Sequence, residues 1–466
     1  MLPVIAIVGR PNVGKSTLFN RLTRSRDALV ADRAGITRDR QYGIAEIGGR
    51  RVMLVDTGGL GDFESDMPEL AERVAGQSLQ AIREADAVLW LVDGRSGLTA
   101  ADEALAAQLR PACRHLFLAV NKCEGLEPAL ATAEFHALGV SEPRAVSAER
   151  GDGVNALMDA VLDVLPPAAP VPAEEELPGL RIAVIGRPNV GKSTLINRML
   201  GEDRMLTFDR PGTTRDAVAV PFERRGRQYV LVDTAGVRRR ARIADQVEKI
   251  SVIKSMQAVD QARVAIAVVD AQEGLTEQDL SLIGLCADSG KPLIIAVNKW
   301  DGLDPSQRAQ VHGQIERRLA FADYACVHTI SALHGSGVGR LFDTLDRIGR
   351  SLAVEIKPSR LTEILATAVR EHAPPLIRGR RIKLRYAHLG GHDPVRVIIH
   401  GNQTQHVPDA YRRYLEGVFR KQLSLVGTPV QVQFKYGENP YRHKKNVLTP
   451  RQEKRRRRVI KHRKGK

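Results

Sequence analysis

The eight residues Gly9-Arg10-Pro11-Asn12-Val13-Gly14-Lys15-Ser16 recur unchanged as Gly186-Arg187-Pro188-Asn189-Val190-Gly191-Lys192-Ser193, 177 positions further along the chain. Both fit G-x-x-x-x-G-K-[ST], the spacing of a loop that wraps phosphate. Glycine allows backbone angles that turn successive N–H groups inward, and the helix that follows points its positive end at the same spot. Lys15 and Lys192 supply a point charge for the β and γ phosphates. Ser16 and Ser193 supply a hydroxyl for Mg²⁺, and Thr17 and Thr194 continue into the helix. The pattern predicts a chain that binds nucleoside triphosphate twice.

Other polar residues keep the same offset. The segment from Asp32 to Asp39 aligns with that from Asp209 to Asp216, which sets Thr37 against Thr214. Asp56-Thr57-Gly58-Gly59-Leu60 aligns with Asp233-Thr234-Ala235-Gly236-Val237, and Asn121-Lys122-Cys123-Glu124 with Asn298-Lys299-Trp300-Asp301. Ser147-Ala148 matches Ser331-Ala332 at an offset of 184. Taken singly, the threonines and aspartates are ordinary turn formers. In register with two phosphate loops they acquire roles. Thr37 and Thr214 offer the metal a second hydroxyl that reaches it only when a γ-phosphate is present. Asp56 and Asp233 hold the metal through water, and the N–H groups of Gly59 and Gly236 face the γ-phosphate.

The N-K-x-D pattern selects the base. Its aspartate accepts two hydrogen bonds from guanine N1–H and the exocyclic amine, and adenine would leave that carboxylate unpaired. Asp301 meets the requirement. Glu124 offers the same acceptors one methylene further out, so the first site should hold guanine less tightly by about 1–3 kcal/mol. Ser147-Ala148 and Ser331-Ala332 complete the base pocket through backbone N–H. The expected ligands are GTP and GDP with Mg²⁺, and an ATPase reading fails on Asp301.

These residues need strand ends to hold them. The apolar runs 4–8, 52–55, 116–120 and 182–185 each stop at or just before a polar residue named above or its loop, and a further run spans 87–92. Such runs are strands buried on both faces of a mostly parallel sheet, whose ligands gather at the carboxyl ends. The expected class is α/β, with two tandem P-loop domains over residues 1–165 and 180–354, each a mostly parallel sheet with helices on both faces. Residues 166–179, rich in Pro and Glu, read as a solvated linker. Beyond Pro358 the pattern changes. Residues 361–369 and 409–423 are helical in period, while 382–386, 395–399 and 430–435 alternate, giving an α-β-β-α-β order over 355–446. Residues 447–466 read as a basic, disordered tail.

Charge is unevenly placed. Of the net +16, residues 351–466 carry 27 Lys/Arg against 8 Asp/Glu, and the last sixteen residues alone carry ten basic side chains. That concentration points to a polyphosphate partner through counterion release. No apolar run approaches the ~18 residues a membrane span needs, and no lipidation signal accompanies the charge, so a membrane partner is not expected. Four scattered cysteines without a C-x-x-C pair fit reduced thiols in the cytosol rather than a zinc site.

The phosphate loops, the Thr37-Arg38-Asp39 and Thr214-Arg215-Asp216 segments, and the closing Gly437-Glu438-Asn439-Pro440-Tyr441 together resemble the Der (EngA) family of bacterial double GTPases. The likeness covers essentially the whole chain. It implies GTP hydrolysis, a KH-like C-terminal domain, association with the large ribosomal subunit and its rRNA during assembly, and a cytoplasmic location. DNA sequence specificity is not expected. Residues 380–446 hold no clear G-x-x-G loop of the kind with which KH domains clamp single strands, and Gly390-Gly391 is not one. In Ras-like enzymes a glutamine after D-x-x-G orients the attacking water, whereas Leu60 and Val237 can neither donate nor accept. Related GTPases with apolar residues there use K⁺, held partly by a phosphate-loop asparagine, which is the position of Asn12 and Asn189. The same asparagines could equally serve the loop turn. Intrinsic turnover is expected to be slow, K⁺-stimulated and open to an activating protein. Two alternatives stay open at this point: a structural RNA-binding protein with nucleotide-sensing sites, and a tRNA-modification-type GTPase. The latter usually carries a C-terminal cysteine, and none follows Cys326.

Overall fold

Apolar runs ending in polar residues become strands that end in loops, and they do so twice in the same order. In the first repeat, β1 (Val4–Gly9) leads into α1 (Lys15–Thr23), followed by β2 (Gln41–Ile47), β3 (Arg50–Asp56), β4 (Ala87–Asp93), α2 (Ala100–Ala112), β5 (Leu116–Asn121), α3 (Pro128–Thr132), β6 (Arg144–Ala145) and α4 (Val154–Val164). The second repeat runs β7 (Leu180–Ile185), α5 (Lys192–Gly201), β8 (Val220–Arg224), β9 (Arg227–Val232), α6 (Val252–Gln261), β10 (Val264–Asp270), α7 (Glu277–Ser289), β11 (Leu293–Asn298), α8 (Pro305–Arg318), β12 (Cys326–Thr329) and α9 (Val338–Leu352). The computed structural model describes residues 2–23, 41–57, 82–166, 179–201, 219–232, 252–353, 356–377 and 380–436.

The two six-stranded sheets share one permutation, β2-β3-β1-β4-β5-β6 and β8-β9-β7-β10-β11-β12. Only the β2–β3 and β8–β9 hairpins are antiparallel. After β3 the chain crosses to the far side of β1 to form β4. The carboxyl end of β1 is therefore a topological switch point, where open α/β sheets bind ligands. Every residue of β4 and of β10 is buried, as expected of strands covered on both faces. On one face of the first sheet Leu18, Phe19, Leu157 and Val161 from α1 and α4 pack on Ile5, Leu54 and Leu89. On the other face Leu105, Leu109 and Phe135 pack on Trp90 and Leu118. Each such side chain contributes about 1.5–3 kcal/mol on burial.

Both α1 and α5 start within the phosphate loop, at Lys15 and Lys192. The Lys-Ser pairs thus sit in a first helical turn, whose N–H groups have no partner within the helix.

The chain divides into a larger unit (Met1–Glu355, Gly391–Val395, Arg420–Gln431) and a smaller one (Ile356–Gly390, Arg396–Phe419, Val432–Lys466). The C-terminal elements are α10 (Pro358–Glu371), a short ladder β13 (Leu376–Ile377) with β14 (Arg380–Arg381), then β15 (Lys383–His392), β16 (Val395–Asn402), α11 (Asp409–Gln422) and β17 (Val430–Tyr436). The predicted α-β-β-α-β order is present, with the sheet ordered β15-β16-β17. Helix α10 starts at Pro358 rather than Leu361, because proline suits the first helical position, where an N–H would go unpaired. Among the described residues no helix is long and apolar enough to cross a membrane.

Candidate functional site

Each phosphate loop leaves its strand along the same strained path. Gly9, Asn12 and Gly14 have φ of 149°, 64° and 98°, and Gly186, Asn189 and Gly191 have 148°, 64° and 96°. A side chain at Gly9 would strike the Leu91 carbonyl and one at Gly14 the Asn121 amide, so glycine is required at both. Asparagine tolerates the left-handed region because its short polar chain can bond locally. Val13 and Val190 are buried plugs beneath the loop, while Asn12, Asn189, Thr17 and Thr194 are exposed.

The charged and hydroxyl groups are already gathered. Lys15 Nζ donates to the carbonyls of Gly9 at 3.0 Å and Arg10 at 2.7 Å, and Lys192 Nζ to that of Arg187 at 2.6 Å. Each ammonium is thus folded over the centre of its own loop. Ser16 Oγ donates to Asp56 Oδ2 at 2.8 Å, which brings two predicted metal ligands within one hydrogen bond. A buried carboxylate beside a hydroxyl is a hard oxygen donor set that suits Mg²⁺. Thr57 locks the end of β3, its hydroxyl donating to Ile7 at 2.9 Å.

At the base end a buried asparagine joins two loops in each repeat. Asn121 Nδ2 donates to the Val13 carbonyl at 2.7 Å and its Oδ1 accepts from the Ala148 N–H at 2.8 Å. Asn298 repeats this with Val190 at 2.7 Å and Ala332 at 2.8 Å. The phosphate loop, the N-K-x-D segment and the buried Ser147-Ala148 or Ser331-Ala332 pair are therefore one hydrogen-bonded assembly. Lys122 and Lys299 sit in the left-handed region, φ 65° and 62°. That is a strained conformation for lysine, of the kind found where side chains are aimed at a ligand.

The specificity carboxylates differ in their company. Glu124 pairs with Arg95 at 2.9 Å, whereas Asp301 has His334 at 3.4 Å. Its own backbone N–H and the Ser147 hydroxyl hold Glu124 below the usual carboxylate range. A hydrogen bond from Ser331 does the same for Asp301. Both are acceptors at neutral pH. In the chain they are preceded by Cys123, whose thiol pKa burial pushes up, and by Trp300, whose ring meets His312 edge-on at 5.1 Å.

Two pairs of positioning residues escaped the motif reading. Asp93 and Asp270 end β4 and β10, opposite Asn121 and Asn298 in register. Asp93 binds Lys122 Nζ at 2.6 Å, and Asp270 binds Lys299 Nζ. Burial would raise the Asp93 pKa, but the Lys122 ammonium and the Arg95 N–H outweigh it and hold it low. Asp102 and Asp279 are buried at the start of α2 and α7, where they close capping boxes with Thr99 and Thr276. They also fix the phosphate-loop arginines, Arg10 at 2.7 Å and Arg187 at 2.8 Å. Asp93, Thr99 and Asp102 all repeat at the 177-residue offset, and that was the signal that could have found them. Thr37, Gly58, Gly59, Leu60, Thr214, Asp233, Thr234, Ala235, Gly236 and Val237 lie outside the described residues.

Comparison with known proteins agrees with this doubled arrangement. A family model described as "50S ribosome-binding GTPase" matches residues 4–122 and again 181–299. A second, "KH-domain-like of EngA bacterial GTPase enzymes, C-terminal", matches residues 355–435. The chain is 54% identical to "GTPase Der" of Thioalkalivibrio sulfidiphilus, with all of both chains covered. It is 51% identical to the protein of that name from Pseudomonas putida, covering 100% of this chain and 98% of the relative. With that of Citrobacter koseri it shares 52%, covering 99% of each.

Proposed function

The chain belongs to the Der family of double GTPases, and from that premise we propose that it is a GTP-driven switch acting in maturation of the large ribosomal subunit. The family binds GTP and GDP with Mg²⁺ and hydrolyses GTP. The observation that carries the reading is the buried asparagine that ties phosphate loop to base loop in both repeats.

The motif positions assign the roles, and the loop geometry around Lys15 and Lys192 supports them. Lys15 and Lys192 exchange loop carbonyls for the β and γ phosphates, and the loop N–H groups take the remaining oxygens. Ser16, Thr37 and Asp56 would hold Mg²⁺ in the first site, and Ser193, Thr214 and Asp233 in the second. When bound, that ion neutralises charge on the β and γ oxygens. Asp301 and Glu124 take guanine. Gly59 and Gly236 report the γ-phosphate, so its loss releases the segments around Thr37 and Thr214. With Leu60 and Val237 unable to orient water, the intrinsic rate is slow. The left-handed Asn12 and Asn189, exposed beside the phosphates, suit a K⁺ that supplies charge there, and an activating protein is a further source.

The ribosomal part rests on charge and kinship. Residues 351–466, with 27 Lys/Arg against 8 Asp/Glu, form the region through which a cytoplasmic protein of this kind grips rRNA. Sedimentation with large ribosomal subunits tests it. Association should be strong with a non-hydrolysable GTP analogue and weak with GDP or without nucleotide. Equal association in all three would overturn the switch.

A further inference from the structure

On the C-terminal sheet three rings cluster on one face, where the buried Ile398 lies between Arg396 and His400 in β16, and Ala387, Val397, Ile399 and Val432 line the other face. Ala387, Val397, Ile399 and Val432 are at most 3% exposed. Strand alternation then sends Tyr386, His388, Arg396, His400, Gln433 and Lys435 to the opposite face. There Tyr386 stacks on His388 with centroids 5.3 Å apart, His388 stacks on His400 at 5.1 Å, and Tyr386 meets His400 at 5.5 Å. Tyr386 is 43% exposed. Among the described residues His388 Nδ1 is buried with no hydrogen-bond partner. Burial, then His400 and Lys435, hold the His388 pKa below its ordinary value, which leaves a neutral ring at neutral pH.

We infer that this face is a stacking platform for unpaired bases of single-stranded RNA. Tyr386, His388 and His400 offer π faces to the bases, and Arg396 and Lys435 lend positive charge to the backbone beside them. Aromatic rings on an open sheet take any base, because every base has a π face. The surplus of basic residues in this part of the chain complements a polyphosphate and not an apolar peptide. The surface also answers a problem left by the sequence, namely that no G-x-x-G clamp is present. The inference rests on the ribosomal reading for the source of the RNA.

The test is anisotropy of a fluorescein-labelled oligoadenylate strand, and of an RNA duplex of equal length, titrated with the full chain. The strand should bind more tightly than the duplex. Tyr386→Ala and His400→Ala should each weaken strand binding about tenfold, with duplex binding, GDP affinity and salt dependence unchanged. Tyr386→Phe and His400→Phe should restore it, an outcome that also decides the matter if an alanine variant fails to fold. Lys435→Ala should lower the salt slope by about one. Equal binding by Tyr386→Ala and Tyr386→Phe, or no preference for the strand, would overturn the platform. So would self-association of the wild type that Tyr386→Ala abolishes, which would assign the face to a second copy. If wild-type protein binds the strand but never sediments with large subunits, the ribosomal reading fails and the platform stands. If the alanine variants bind the strand like the wild type and still sediment, only the platform fails.

Discussion

Glu124 and Asp301 occupy equivalent positions, yet only one of them has an arginine to leave before it can accept from a base. Arg95 holds Glu124 at 2.9 Å, and the residue equivalent to Arg95 in the second repeat is Gln272. Glu124→Asp should therefore tighten GDP at the first site by about 1–3 kcal/mol. Calorimetry on a chain whose second site is weakened by Asp301→Ala reads this directly, and an unchanged affinity would contradict it. The second site makes a prediction about pH. Ser331 holds Asp301 below the usual carboxylate range, so the group stays an acceptor above its own lowered pKa. GDP affinity at that site should be complete above the ordinary aspartate value near ~3.9. It should decline only as pH falls through the lowered value. Asp301→Asn should remove that acid limb along with most of the guanine preference. The motif residues were legible because their spacing is local. The arginine beside Glu124 was not, because Arg95 reaches it only once several strands end at one edge.

At the scale of elements, one contact joins the phosphate loop to the start of a helix 92 residues away, through Arg10 and Asp102. Asp102 has no exposed side-chain surface, while Arg10 keeps 22%. Asp102→Ala breaks both the capping box and a largely buried ion pair. It should cost about 3–5 kcal/mol, at the lower end because water reaches the arginine. Calorimetric melting should show the loss as a lower midpoint, and GDP binding to the first site should weaken with it. A midpoint within error of wild type would show that the pair does not hold the loop. The strands and most helices could be read from apolar runs and periodicity. The pairing of Arg10 with Asp102 could not, since it depends on β4 lying beside β1, and strand order is a property of the whole sheet. The three-ring cluster was hidden for a related reason: alternation gives the face of Tyr386, but register sets His400 beside it.

At the scale of the molecule, duplication is the most informative feature, because each local inference can be checked against its copy. Lysine over loop carbonyls, asparagine between two loops, aspartate under the N-K-x-D lysine and aspartate under the loop arginine all occur twice. Chance contacts would not repeat at a fixed offset. The two sites are unequal at the base end, and the copies should differ in affinity more than in chemistry. With Leu60 and Val237 in place of a water-orienting glutamine, turnover should be faster in K⁺ than in Na⁺, and Asn189→Asp should remove most of the difference. Phosphate release measured in the two salts checks this, and equal rates would retire the cation.

Everything rests on two complete guanine nucleotide sites in one chain. Calorimetric titration of the full-length protein with GDP and Mg²⁺ should give two equivalents bound, the tighter at the site bearing Asp301. Lys15→Ala and Lys192→Ala should each remove a different one. A stoichiometry of one, or a second event untouched by either lysine, would contradict the account.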